Sequence, residues 1–138
     1  MEFKKEIENY LKFNKPCFPP HFNETFIESS LSELNEISIS RPKSRVSWGI
    51  STPDIPDQTV YVWLDALCNY LTCLDYLGEN QKDQGYFENF IHIIGKDIVK
   101  FHAVYWPGFL AGLGLPFPKK IFVHDHWIYQ GVFIFVNF

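Results

Sequence analysis

The chain has 138 residues, 46% hydrophobic and 18% aromatic, a composition too apolar for a disordered segment and sufficient for the core of one globular domain. Twelve basic against sixteen acidic residues leave a formal charge of -4, and no Lys/Arg run forms the stripe that a phosphate backbone requires, so nucleic acid is not predicted as a partner of this segment by itself. Cys17, Cys68 and Cys73 contain no Cys-x-x-Cys pair, which argues against a disulfide framework or zinc knuckle and fits small buried residues in a reducing compartment.

No apolar run approaches the roughly 18 residues of a membrane span. The opening Met1-Glu2-Phe3-Lys4-Lys5-Glu6 is too acidic for an organellar transit peptide. Phe3, Ile7, Tyr10 and Leu11 fall at helical spacing and predict a short amphipathic helix, which Pro16-Cys17-Phe18-Pro19-Pro20 must break. Asn23 is placed to cap a second helix with Ile27, Ser30, Leu31 and Leu34 on its inner face.

Between Ile37 and Asp57 the pattern turns extended and loop-rich, punctuated by Pro42, Gly49, Pro53 and Pro56, a candidate domain boundary. The basic residues Arg41, Lys43 and Arg45 read as a solvated loop rather than a nucleic-acid contact. Beyond Gln58 the elements alternate: strand Val60–Leu64, helix Asp65–Leu77, strand Phe90–Gly95, helix Asp97–Gly112, strand Ile121–His124. Apolar strands joined through helices predict an α/β fold, a parallel sheet covered on both faces. The uncharged stretch Gly131–Phe138 reads as a β-prone run that invites aggregation if left unpaired.

Ligands of open parallel sheets sit beyond the carboxyl ends of the strands, which singles out three junctions. At the first, Trp63, Ala66 and Tyr70 recur at spacings of three and four and can share one face, although Trp63 and Tyr70 also read as core aromatics. At the second, Gly95 allows a ligand close to the backbone and the Asp97 carboxylate can accept from sugar hydroxyls, while in isolation Asp97 reads better as a helix N-cap. Along the next helix Ile98, Phe101, His102 and Tyr105 form one stripe, by itself the signature of a core face, and Pro107 is expected to kink or shorten it. At the third, His124-Asp125-His126-Trp127 lacks a nearby third ligand for a metal and fits a nucleotide-facing edge better.

Taken together, Ile39-Ser40-Arg41-Pro42, Trp48-Gly49-Ile50, Val62-Trp63-Leu64-Asp65-Ala66-Leu67, Asn69-Tyr70-Leu71-Thr72, Ile93-Ile94-Gly95-Lys96-Asp97-Ile98, Phe101-His102, Tyr105-Trp106-Pro107 and Val123-His124 resemble methionyl-tRNA synthetases of the bacterial and mitochondrial branch, block by block and in order. The resemblance is strong from about Ile37 to Gly131. It implies an internal fragment of a class I synthetase, whose parent activates methionine with ATP and transfers it to tRNA. The implied fold is the second half of a Rossmann-like parallel sheet preceded by the helical tail of the connective insertion: residues 1–57 as insertion tail and linker, 58–131 as the second half of the nucleotide-binding domain, 132–138 as an unmatched tail.

The resemblance further implies that Trp63, Ala66, Tyr70, Ile98, Phe101 and His102 line a slot for the methionine side chain. It places Gly95, Asp97, His124 and Trp127 along ATP, which carries Mg in the parent enzyme, with no metal held by this segment and no catalytic acid or base in it. An aromatic-walled slot suits a thioether, whose contacts with aromatic rings are worth about 0.3–1.5 kcal/mol. Methionine and ATP are the implied ligands, tRNA a partner only of the full-length parent, and no membrane is involved. The implied location is the mitochondrial matrix, with the cytoplasm as alternative.

The family's His-Ile-Gly-His signature is absent, and where Gly131 should lead into Lys-Met-Ser-Lys-Ser the chain reads Val132-Phe133-Ile134-Phe135-Val136-Asn137-Phe138. Loss of groups that stabilise the departing pyrophosphate predicts an isolated chain without activity, the pattern of a truncated or mis-spliced product. The alternatives are a non-catalytic methionine-binding or regulatory module derived from the synthetase, and a relative specific for another amino acid.

Overall fold

The computed structural model describes residues 3–24, 36–76, 89–126, 128–130 and 132–133, with only the backbone of residues 129, 132 and 133. In chain order its elements are α1 (Lys4–Asn9), β1 (Cys17–Phe18), β2 (Ser40–Pro42), β3 (Gln58–Val60), α2 (Val62–Cys73), β4 (Ile91–Gly95), α3 (Trp106–Gly112), β5 (Lys120–His124), β6 (Ile128–Tyr129) and β7 (Val132–Phe133). They belong to two compact units, residues 35–84 and residues 2–34 with 85–138. Among the described residues no helix is long and apolar enough to cross a membrane.

In the first unit β2 and β3 pair antiparallel, with Arg41 opposite Thr59. The Arg41 guanidinium lies 3.9 Å from the centre of the Tyr61 ring, and its Nη1 donates to the Ser38 and Ser40 carbonyls at 2.8 Å each. Arg41 is therefore a fixed part of the hairpin, not a solvated loop residue, whereas Lys43 and Arg45 are exposed. The expected strand over Val60–Leu64 is corrected: Tyr61 is the last extended residue (φ -64°, ψ 129°) and α2 starts at Val62. Val60 to Trp63 carry strand-prone side chains, but the carbonyl of Tyr61 accepts from the amides of Leu64 at 2.9 Å and Asp65 at 3.2 Å, and helical spacing buries Leu67 and Leu71. Burial of a helical face overrides local β propensity. The described helix ends at Cys73, short of the expected Leu77, which lies outside the described residues.

The second unit holds the parallel sheet, in the order β1-β5-β4. β4 runs alongside β5 from Ile91 opposite Lys120 to Gly95 opposite His124, and Cys17 and Phe18 pair with Ile121 and Phe122. Side chains alternate along each strand, so Cys17, His92, Ile94, Ile121 and Val123 share the buried face. Of these, Cys17, Ile94, Ile121 and Val123 join Ile7, Tyr10, Leu11, Val99, Ala103 and Val104 in one core. The opposite face carries Phe18, Ile91, Ile93 and Phe122, which are 40% to 77% exposed, so the expectation of a sheet covered on both faces is corrected for the described residues: among them only one face is packed. The helices that follow β4 fold back onto that one face.

The amphipathic segment at the start forms as expected, with α1 widening by one residue per turn over Tyr10–Asn14. Lys15 ends it in the left-handed region (φ 43°), and the Tyr10 hydroxyl donates to the Pro118 carbonyl at 2.7 Å. The proline-rich run that breaks this helix also contains β1. A second helix does begin here, but residues 21–24 are already helical, so Asn23 lies inside its first turn rather than capping it: its Oδ1 accepts from the Cys17 amide at 2.9 Å and its Nδ2 donates to the Cys17 carbonyl, completing the edge of β1. The face predicted from Ile27, Ser30, Leu31 and Leu34 lies outside the described residues.

After β4 the chain runs through a tight turn, Lys96–Ile98, then a wide turn, Phe101–Tyr105, and then α3. Pro107 neither shortens nor ends this run. It has no amide to donate to a preceding turn, and the wide turn just before it, closed by the Trp106 amide on the Phe101 carbonyl, absorbs that loss. Gly108 lets Ile7 approach, with Cδ1 3.5 Å from where a Cβ would stand. Beyond β5, β6 and β7 pair antiparallel around Gln130, which gives the start of the final β-prone run a partner; residues 134–138 lie outside the described residues.

Candidate functional site at the carboxyl ends of the parallel strands

The carboxyl ends of β4 and β5 meet at the Gly95–His124 pair, with Lys96 and Asp97 leaving one strand and Asp125 and His126 leaving the other. A Cβ on Gly95 would stand 3.7 Å from Cε1 and 4.0 Å from Nε2 of His124, so the imidazole forms one wall of a niche whose floor is bare backbone. His124 Nδ1 lies 2.9 Å from the Asp125 carbonyl. A carbonyl only accepts, so Nδ1 is the donor.

The two flanking pairs are crossed between the strand ends. Lys96 Nζ donates to Asp125 Oδ1 at 2.8 Å, and His126 Nε2 bonds Asp97 Oδ2. Hydrogen bonding from the Lys96 ammonium, and then its charge, holds the Asp125 carboxyl below the usual carboxylate range. The N-cap reading of Asp97 is overturned: Gly95 precedes the tight turn without any side-chain cap, and the Asp97 carboxylate, 62% exposed, reaches across to His126 instead. Gly95, Asp97 and His124 are therefore brought together at one sheet end. Trp127 lies outside the described residues.

The residues expected around a methionine side chain divide between the two units. In the first, Trp63, Ala66 and Tyr70 all lie on α2, at spacings of three and four that put them on one helical face. Trp63 and Tyr70 are half-buried and Ala66 is exposed. Burial, followed by the nearby Cys73 thiol, pushes the Tyr70 hydroxyl up from its ordinary pKa.

In the second unit, Ile98 closes the tight turn, and Phe101 and His102 open the wide one, a helical irregularity frequent at functional sites. Phe101 meets the edge of the Tyr105 ring at 5.5 Å. His102 is 2% exposed and its Nδ1 donates to the Ile98 carbonyl at 3.0 Å, which leaves Nε2 as the acceptor. Reading the sequence missed His92, which is buried with its ring 5.3 Å from that of His102. Burial, and secondarily His102, lowers the His92 pKa to about 3, and burial lowers that of His102, so both imidazoles are neutral near neutrality. The signal for His92 was its inward position in the alternation of β4. His126 was visible in the sequence only as part of the nucleotide-facing edge from His124 to Trp127, and its pairing with Asp97 was not, because that partner stands 29 residues away.

A parallel sheet with a glycine and an exposed carboxylate at its strand ends is the setting in which open α/β folds place their ligands. The family model described as tRNA synthetases class I (M) matches residues 1–134. The chain is 50% identical over 129 residues to a probable mitochondrial methionine–tRNA ligase of Dictyostelium discoideum and 43% identical over 131 residues to the mitochondrial methionine–tRNA ligase of Homo sapiens. These stretches cover 91% and 94% of the chain and 22% of each relative's length. Among solved structures, the Mycobacterium tuberculosis methionyl-tRNA synthetase in complex with methionyl-adenylate superimposes with a TM-score of 0.76 at 36% identity, over 90% of this chain and 24% of that one. The chain belongs to the methionyl-tRNA synthetase family of class I synthetases.

Proposed function

We propose that the chain is a segment of a methionine–tRNA ligase, and that its share of the reaction is to recognise the methionine side chain and to contact ATP. The observation that carries this is the convergence of Gly95, Asp97 and His124 at the carboxyl ends of β4 and β5, in a chain whose family includes a structure holding methionyl-adenylate. Gly95 and Asp97 are assigned to the ribose and His124 with Trp127 to the adenine. Trp63, Ala66 and Tyr70, and separately Ile98, Phe101 and His102, are assigned to methionine. A neutral His102 fits that role, because a thioether is repelled by nothing in it and gains from aromatic surroundings.

Adenylate formation needs no acid or base from these residues; positioning is their contribution. Mg2+ enters with the triphosphate as part of the substrate, and no residue of this segment is assigned to it. Transfer to tRNA belongs to the full-length parent. The names of the Dictyostelium, Schizosaccharomyces pombe and human relatives support a mitochondrial location. The division into residues 1–57, 58–131 and 132–138 is part of the same proposal; it concerns descent, whereas the two compact units concern packing.

Calorimetric titration of the 138-residue chain with methionine, leucine and adenosine tests the assignment. Heat is expected for methionine and adenosine at up to millimolar concentration, with leucine weaker, and methionine-dependent exchange of pyrophosphate into ATP is expected to be absent. Binding of leucine in preference to methionine would overturn the substrate, and robust exchange would overturn the purely binding role of the chain.

A further inference from the structure

We infer that His126 is a positioning residue, which fixes the Asp97 carboxylate so that its second oxygen faces a ribose diol, with the adjacent Lys96–Asp125 pair holding the two strand ends in register. This rests on the nucleotide assignment proposed above and extends it to a residue that is not itself assigned a contact with ATP. Asp97 follows β4 in a tight turn and is 62% exposed, a setting in which an unrestrained carboxylate rotates freely. His126, only 25% exposed, comes from the end of β5 and bonds Oδ2. Among the described residues Oδ1 has no partner, so one oxygen is held and the other is available.

Charge decides how this arrangement survives beside a second acid. Asp125 adjoins His126, and Lys96 takes the Asp125 carboxylate at 2.8 Å and neutralises it. Residues 96 and 97 are thus tied to residues 125 and 126, extending the Gly95–His124 pairing by two side-chain links beyond the last strand residues. Among the described residues, the charged and titratable groups facing this cluster include Lys96, Asp97, His124, Asp125, His126 and, on the Asp125 side, His21. A carboxylate with one oxygen fixed can accept both hydroxyls of a cis-diol on the other, at a definite angle to the Gly95 niche. Fixing it in advance removes ordering that a ligand would otherwise have to impose.

The test is a calorimetric comparison of adenosine with 2′,3′-dideoxyadenosine on the full chain and on His126→Ala and His126→Gln. The unaltered chain is expected to prefer adenosine. His126→Ala should weaken adenosine about tenfold while leaving the dideoxy compound unchanged, in line with loss of one hydrogen bond to a charged group. His126→Gln, whose amide can donate in place of Nε2, should restore most of the preference. Equal weakening of both ligands would show a merely structural role and overturn the inference, as would a diol preference that survives His126→Ala. If the unaltered chain binds neither ligand, the nucleotide assignment itself fails and this inference falls with it.

Discussion

Gly95 separates the demands of the fold from those of a ligand. Its backbone is ordinary (φ -72°, ψ 151°), and among the described residues a Cβ there would meet only the His124 ring at van der Waals distance, so none of them requires glycine. Gly95→Ala should therefore leave stability unchanged or raise it by up to about 1 kcal/mol, through the reduced freedom of the unfolded chain. The same methyl group occupies the niche, so adenosine affinity should drop at least tenfold, to be read by calorimetry beside a denaturant titration. His92 gives the complementary case, a residue that matters to the fold. Its pKa of about 3 lies below the ordinary 6.5, so the folded state holds fewer protons than the unfolded one between those values. Its contribution is complete above about pH 6.5 and is lost as pH falls towards 3. The urea midpoint should decline over that window, and His92→Phe should flatten the decline; an unchanged acid slope would refute the assignment.

Elements built on long apolar periodicities were legible in the sequence. β4 and β5 stand within a residue of where alternation put them, and Trp63, Ala66 and Tyr70 fall on one helical face because helical spacing is insensitive to where the helix starts. What escaped depends on partners remote in sequence. β1 is two residues long inside a proline-rich run, and only its pairing with Ile121 and Phe122 makes it a strand. β3 looked like part of the parallel sheet until Arg41 and Thr59 paired antiparallel. The wide turn at Phe101–Tyr105 carries no periodicity of its own, and Asp97 and His126 become neighbours only through the register of β4 on β5. The sheet face left uncovered by the described residues is the element-scale feature with the plainest outcome, since Ile93 is 77% and Phe122 40% exposed on a kind of sheet that is ordinarily buried on both sides. Ile93→Thr with Phe122→Thr should raise the concentration at which light scattering first detects association, without lowering the melting temperature. A large loss of melting temperature would mean that this face is packed in solution.

At the scale of the whole molecule, the chain spans about 22% of the length of the curated relatives it matches, yet the second unit has its own core, from Ile7 through Val99 to Val123. Within that unit β1 is an outer strand, held by two residues of pairing and by the Asn23 side chain. Its Cys17 is 3% exposed, and burial pushes the thiol up to about 11, while Cys73 is exposed. A maleimide reagent at neutral pH therefore finds Cys73 at once and meets Cys17 only when the outer strand lets go. The slow phase of thiol labelling becomes a clock for that single event, and Asn23→Ala should make it run faster.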